Sequence, residues 1–220
     1  DKSATGDESG KSWENAETDL NNAVDNACQG QQIWVAAGRY TPTSCPNLVD
    51  LECEDDPRKR HFTLKNGVAL YGGFAGNETT LEERDVLVNK TILSGDFDEN
   101  DDETDETTKG ENAYHVFFHK ELNIDETAVL DGFTIADGNA NGDSQYNFGG
   151  GIFNYESTVT PTISNCILTN NFAQSRGGAV YNYYSNVAIG GITFYSNSAS
   201  YGGAVYNEAG NLTVTDSTFD

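Results

Sequence analysis

From Gly150 onward the chain alternates apolar and polar positions in short runs of four to six residues bounded by Gly and Asn, a pattern that reads as strand and turn rather than helix. One box ends at Asn154 ("GGIFN"), and two more end at Asn182 and Asn207 ("GGAVYN" both times), 28 and then 25 residues apart. A second box lies between them: "ISNCILTNNFA" (163–173), "IGGITFYSNSA" (189–199) and the opening of another copy, "VTDSTFD" (214–220). Helical repeats of this length need long runs at 3.6 periodicity, and leucine-rich repeats need a leucine frame; neither is present. A parallel β-solenoid fits, because each repeat then forms one rung and equivalent positions stack about 4.8 Å apart. Stacking predicts Ile152, Val180 and Val205 on one interior row and Leu168, Phe194 and Phe219 on another.

The same frame gives the polar letters jobs. Gly177-Gly178 and Gly202-Gly203 suit a corner that needs positive φ or close backbone approach. Asn154, Asn182 and Asn207 are expected to form a hydrogen-bonded ladder, with Asn171 and Asn197 as a second. Upstream, shorter alternations recur less regularly in "QIWVAAGRYTP" (32–42), "GVALYGGFAG" (67–76), "KTILSGDF" (90–97), "AYHVFFH" (113–119) and "TAVLDGFTIADGNA" (127–140), with long acidic loops between them. Before them, "SWENAETDLNNAVDNA" predicts an amphipathic helix with Ser12 as N-cap and Trp13, Ala16, Leu20, Ala23, Val24 and Ala27 on one face. A solenoid end exposes strand edges and core, so this helix is the expected cap. The chain thus divides into an N-terminal segment with the capping helix (1–30), irregular rungs (31–126) and regular rungs (127–220), and the last box, broken at Asp220, implies a longer polypeptide.

Charge narrows the partners. With 12 basic and 35 acidic residues the net charge is −23, a field that disfavours nucleic acid and anionic lipid. No apolar run reaches the length of a membrane helix, so no direct membrane insertion is expected of this segment. Four cysteines are too few for a disulfide scaffold; Cys45 and Cys53, bracketing "CPNLVDLEC", form the simplest pair. Asn77, Asn89 and Asn211 stand in glycosylation sequons.

The ordered set "SWENAETDLNNAV", "IWVAAGRYTPT", "GVALYGGFAGNETTLEERD", "TILSGD", "AVLDGFTI", "GGGIFN" and "NC.L..N.A...GGAVYN" resembles the N-terminal part of large secreted bacterial β-helix surface proteins. The GGAVYN and Asn-rich boxes are similar to repeats of polymorphic outer-membrane proteins and adhesin-like autotransporter passengers. The resemblance implies an all-β fold, a right-handed parallel β-helix with an N-terminal amphipathic capping helix. It also implies export to the extracellular space or cell surface, with any signal peptide already removed.

Candidate chemistry is sparse. His115 and His119 in "HVFFH" sit at i,i+4 on a strand, but a metal pair there competes with ordinary packing, and "PRKRHF" (57–62) is the one basic cluster. Two loops suit a hard cation: "DFDENDDETD" offers Asp96, Asp98, Asn100 and Asp102 at alternate positions, and "DGNANGD" offers Asp137, Asn139, Asn141 and Asp143 with Gly142 at the sixth place. The bidentate Glu expected at the twelfth place is replaced by Thr107 and Phe148. Ca²⁺ is therefore the one expected cofactor. The expected function is a structural or adhesin-like surface or matrix protein, displaying rungs and acidic loops to surface glycans or to other copies of itself, as in a filament. The alternatives are a carbohydrate-active β-helix enzyme with its active site elsewhere and a calcium-dependent glycan-binding module.

Overall fold

A computed structural model describes all residues except 47–52, 54, 103–104 and 157, so the interior of the Cys45–Cys53 loop lies outside the described residues. All the paired strands run parallel and stack into three main sheets. Sheet I orders Gln32–Ala36, Ala69–Phe74, Val129–Asp131 and Thr162–Ser164, and the pair Val187–Gly190 and Leu212–Thr215 carries on the same side of each coil. Sheet II orders Gly38–Tyr40, Thr91–Ser94, Phe133–Ala136, Ile167–Thr169, Thr193–Tyr195 and Thr218–Phe219. Sheet III orders Phe117–Lys120, Ile152–Tyr155, Val180–Tyr183 and Val205–Glu208. Short strands Asn139–Ala140, Phe172–Arg176 and Ser198–Tyr201 link sheet II to sheet III in successive rungs. This is a parallel β-solenoid, as the repeat predicts.

Register follows the boxes. Ile152 pairs with Val180 and Val180 with Val205, while Leu168 pairs with Phe194 and Phe194 with Phe219. Phe117, Leu130, Ile135, Leu168, Ile192 and Phe194 are almost fully buried in one continuous core, each worth about 1.5–3 kcal/mol of transfer free energy.

The chain turns from one sheet to the next on single left-handed residues that recur at equivalent places. Between sheets I and II these are Gly132, Asn165, Gly191 and Asp216; after sheet II they are Asp137, Asn170 and Ser196. Asn and Asp tolerate this conformation better than other non-glycine residues, which suits Asp137, Asn165, Asn170 and Asp216 to these corners. In the GGAVYN boxes the two glycines divide the work: Gly177 and Gly202 have positive φ, whereas a Cβ on Gly178 would collide with backbone atoms of Gly203 and Ser198.

The N-terminal helix is shorter than the pattern predicts. It spans Leu20–Asn26, with Asp19 as N-cap accepting from the Asn22 amide, and Leu20 and Val24 buried against the solenoid core. Ser12 instead closes a turn, accepting from Asn15 N at 3.3 Å and Asn15 Nδ2 at 2.9 Å. Trp13 is drawn out of helical phase by tertiary contacts: its Nε1 donates to Glu78 O at 2.9 Å and its ring lies 5.5 Å from that of Phe74. Helix propensity is a weak preference that such contacts override.

Candidate functional site

The interior rows of sheet III carry the first polar network. Asn154, Asn182 and Asn207 are in register, and Asn154 Nδ2 donates to Asn182 Oδ1 at 2.7 Å. At the other end of the row stands His119, which pairs with Asn154 in register. Its Nδ1 lies 2.8 Å from Asn154 Oδ1, and its Nε2 accepts from Leu64 N at 3.2 Å. These partners fix one neutral tautomer, with the proton on Nδ1. Complete burial lowers the His119 pKa to about 4. His115 faces away from it, with Nδ1 2.9 Å from Gly149 O and its ring among Phe118, Tyr146 and Phe153; burial lowers its pKa to about 3. The HVFFH histidines are therefore packed into separate environments. The second network joins Asn171 Nδ2 to Asn197 Oδ1 at 3.0 Å, with Asn197 Nδ2 donating to Leu168 O at 2.7 Å.

On the outer side of sheet III, Phe118, Phe153 and Tyr181 form a stacked aromatic row, with ring centroids 5.2 Å apart at each step. The row is covered: Phe148 stacks on Tyr181 at 4.8 Å, and Arg176 reaches over Phe148 and Tyr206 while its Nη1 bonds Glu208 Oε2 at 2.7 Å. Tyr181 is 2% exposed and its hydroxyl donates to Glu208, so this row is packing rather than a sugar platform.

The acidic loops are where charge concentrates. Asp96, just after strand Thr91–Ser94, is 1% exposed and accepts from the amides of Asn100 and Asp101, so the loop folds back over it. Asp98, Asn100 and Asp102, the alternate residues of the sequence pattern, are exposed. Instead, Asp96, Asp101 and Glu111 converge, each offering a carboxylate oxygen within 4.8 Å of the other two. Asp101 Oδ2 accepts from Asn112 Nδ2 at 2.9 Å, and Asn112 Nδ2 also donates to Asp137 O at 2.8 Å. Arg39 lies at the rear: Nη1 bonds Asp137 Oδ2 at 2.7 Å and also Ser94 Oγ, and Nη2 stands 4.0 Å from Asp96 Oδ2. Burial, aided by the charges of Asp96, Asp137 and Glu111, raises the Asp101 pKa to about 6. The loop pattern brought Asp96 to this corner but not Asp98, Asn100 or Asp102. Glu111 and Asn112, beyond the short 3-10 turn Glu106–Lys109, carried no signal of their own in the sequence.

The second loop does not converge. Asp137 is held by Arg39, Asn139 belongs to a strand and donates to Lys109 O, Asn141 Oδ1 accepts from Arg58 Nη2 at 2.7 Å, and Asp143 is exposed. Cys45 and Cys53 are joined in a disulfide with Cα atoms 6.2 Å apart. Of the sequon residues, Asn77 and Asn211 are exposed, whereas the Asn89 amide donates to Gly73 O at 3.3 Å.

A cleft of about 820 Å³ opens beside the N-terminal helix. Trp13, Trp34 and Ile33 line it together with Glu8, Glu17 and Glu78. The Trp34 ring is fixed by stacking on Phe74 at 4.8 Å.

Two segments, residues 165–183 and 191–208, match the Chlamydia polymorphic membrane protein repeat. No curated protein and no solved structure matches the chain. Each matched segment runs from the turn beside sheet II, through the asparagine ladders, into sheet III, so the repeat corresponds to most of one rung. In its repeats and its stacked parallel strands, this chain resembles bacterial surface proteins of the polymorphic membrane protein type.

Proposed function

We propose that this chain is part of an extracellular, adhesin-like surface solenoid that works by repetitive display, and that the cleft beside its helix takes a neutral glycan. The observation that carries the display function is the coincidence of the matched repeat with single rungs of the stack. Such rungs hold loops at fixed spacing on a rigid support. The glycan assignment rests on the cleft: indole faces suit the apolar faces of sugars, and Glu8, Glu17 and Glu78 suit hydroxyl donors while repelling sialylated or uronic chains.

A glycan array probed with the purified chain tests this. Neutral glycans bound by the wild type and lost on Trp34→Ala support it; absence of binding, or binding indifferent to Trp34→Ala, overturns the assignment of the cleft. Cleavage of a bound glycan on incubation would move the function to the carbohydrate-active alternative. Concentration-dependent sedimentation of the same preparation reads self-association.

A further inference from the structure

The corner formed by Asp96, Asp101 and Glu111 contains more than negative charge. Three oxygens there are sealed from solvent and accept no hydrogen bond: Asp101 Oδ1, Glu111 Oε1 and Asn112 Oδ1. Asn112 is wholly buried, and the bond from its Nδ2 to Asp101 Oδ2 at 2.9 Å holds its side-chain amide against the cluster. An acceptor left without a donor in such a place costs about 1–3 kcal/mol, more when it is charged. All three are oxygens and all are acceptors, on residues of one corner, and what they lack in common is a positive centre. Neither neighbouring arginine supplies it: Arg39 makes its short contacts to Asp137 and Ser94 and reaches Asp96 only at 4.0 Å, and Arg58, on the side of Glu111, donates to Asn112 O, Asn139 O and Asn141 Oδ1.

Two oxygens that share a Ca²⁺ at about 2.4 Å stand at most about 4.8 Å apart, the separation within which the three carboxylates already lie. The donor set is all oxygen, with no sulfur or imidazole, which selects a hard cation over zinc or copper. From these facts we infer that Asp96, Asp101 and Glu111, with the Asn112 side-chain oxygen, form a site for a hard divalent cation of the Ca²⁺ class. The site differs from a helix–loop–helix calcium loop: its last carboxylate comes from Glu111, after the 3-10 turn, and not from the twelfth place, where Thr107 stands. It ties the loop after strand Thr91–Ser94 to the segment leading into Phe117–Lys120, and so pins a long insertion to the stack at two points. The raised pKa of Asp101, caused first by burial and then by the neighbouring carboxylates, agrees with this placement.

The test is titration of the chelator-treated chain with CaCl₂ at physiological ionic strength, followed by calorimetry and by melting temperature. A single saturable site and a melting temperature that rises with Ca²⁺ are expected. Glu111→Gln and Asp101→Asn, nearly isosteric, should each weaken binding by about tenfold or more. Asp98→Asn and Asp102→Asn, on the exposed part of the same loop, should leave affinity unchanged. Absence of a saturable site in the wild type overturns the inference, as water then fills the corner. So does Ca²⁺ affinity that survives both Glu111→Gln and Asp101→Asn, or that falls equally with Asp98→Asn, since the ion then belongs to the general acidic field. Glycan binding at the Trp34 cleft is independent of this result.

Discussion

The rungs after Gly150 and the rungs before it use the same three sheets but solve the interior differently. In the later rungs the buried polar positions are uncharged, and amides link the rungs: Asn154 bonds Asn182, and Asn171 bonds the half-buried Asn197. In the earlier rungs the buried polar groups include ionisable ones: Asp96, Asp131 and Asp137 with Arg39 and Arg84, and His61, His115 and His119. The loops differ in the same direction, with 22 residues between Ser94 and Phe117 and only two or three between most later strands. A ladder amide both donates and accepts, so a copy above and a copy below can satisfy it; in this row the bonds run from His119 to Asn182, where Asn182 Nδ2 is left without a partner and Asn207, expected to continue the ladder, turns its Nδ2 to Gly210 O at 2.9 Å. A carboxylate only accepts, and needs a cation or donor brought by an insertion. The repeat therefore builds length, and the departures from it build local chemistry.

The comparison is tested most severely at Gly178. A Cβ there would press on the backbone of Gly203 and Ser198, which no rotamer change can relieve, although the φ of Gly178 is ordinary. Gly178→Ala should cost about 3 kcal/mol or more and broaden or abolish the melting transition of the later rungs. Gly191 is the converse: its φ is +65° but a Cβ meets only Asn165 N at 3.6 Å, and Asn165 and Asp216 occupy the same corner in neighbouring rungs. Gly191→Asn should change stability by less than about 1 kcal/mol. Equal losses in the two variants, read by denaturant titration, would mean that corner conformation and not rung spacing limits the stack.

In the earlier rungs the matching break is Arg84→Ala. Arg84 Nη2 bonds Asp131 Oδ1, and Nη1 donates to Gly72 O and Asp131 O at 3.2 Å each, so one side chain joins two rungs of sheet I. Asp131 is 7% exposed and its other oxygen takes Ser164 and Asn165. Removing the guanidinium leaves a buried charge unpaired, a loss of about 3 kcal/mol. Asp131→Asn added to Arg84→Ala should recover part of it, since the charge is then gone. No recovery in the double variant would show that Arg84 acts through packing alone.

How much of this was legible depended on whether a residue acts on its own repeat. Val180 over Val205 and Asn154 over Asn182 could be read from the sequence because identical boxes must stack in register. The apolar face predicts a helix at the right place but too long, because it does not reveal that Trp13 is claimed by Phe74 and Glu78, 61 and 65 residues away in sequence. In the acidic corner Asp96 could be suspected from alternate carboxylates, whereas Glu111 and Asn112 arrive from across an irregular turn with no periodicity to announce them. The i,i+4 spacing of His115 and His119 would put both on one face of a continuous strand. The strand begins only at Phe117, so the alternation that links 117 to 119 does not extend to 115.

His119 is also where the two regions can be joined. It occupies the ladder position of Asn154 one rung earlier, donating to Asn154 and accepting from Leu64, the two roles an amide performs. His119→Asn should therefore preserve stability at neutral pH to within about 1 kcal/mol. What should change is the response to acid. The folded His119 pKa of about 4 lies below the ordinary value of 6.5, so below pH 6.5 the unfolded chain binds a proton that the folded chain refuses. Stability from this residue is thus complete above pH 6.5 and is lost progressively as pH falls toward 4. Asp101, raised from 3.8 to about 6, has the opposite sign over much of the same window, so the total curve hides the histidine. The difference between wild type and His119→Asn isolates it, because Asp101 is common to both. From pH 7 to pH 5 the wild type should lose about 2 kcal/mol relative to the variant, measured by denaturant unfolding at each pH. Parallel curves would mean that His119 takes up a proton as readily in the fold as in the unfolded chain, so that its bonds to Asn154 and Leu64 do not hold it neutral through this range.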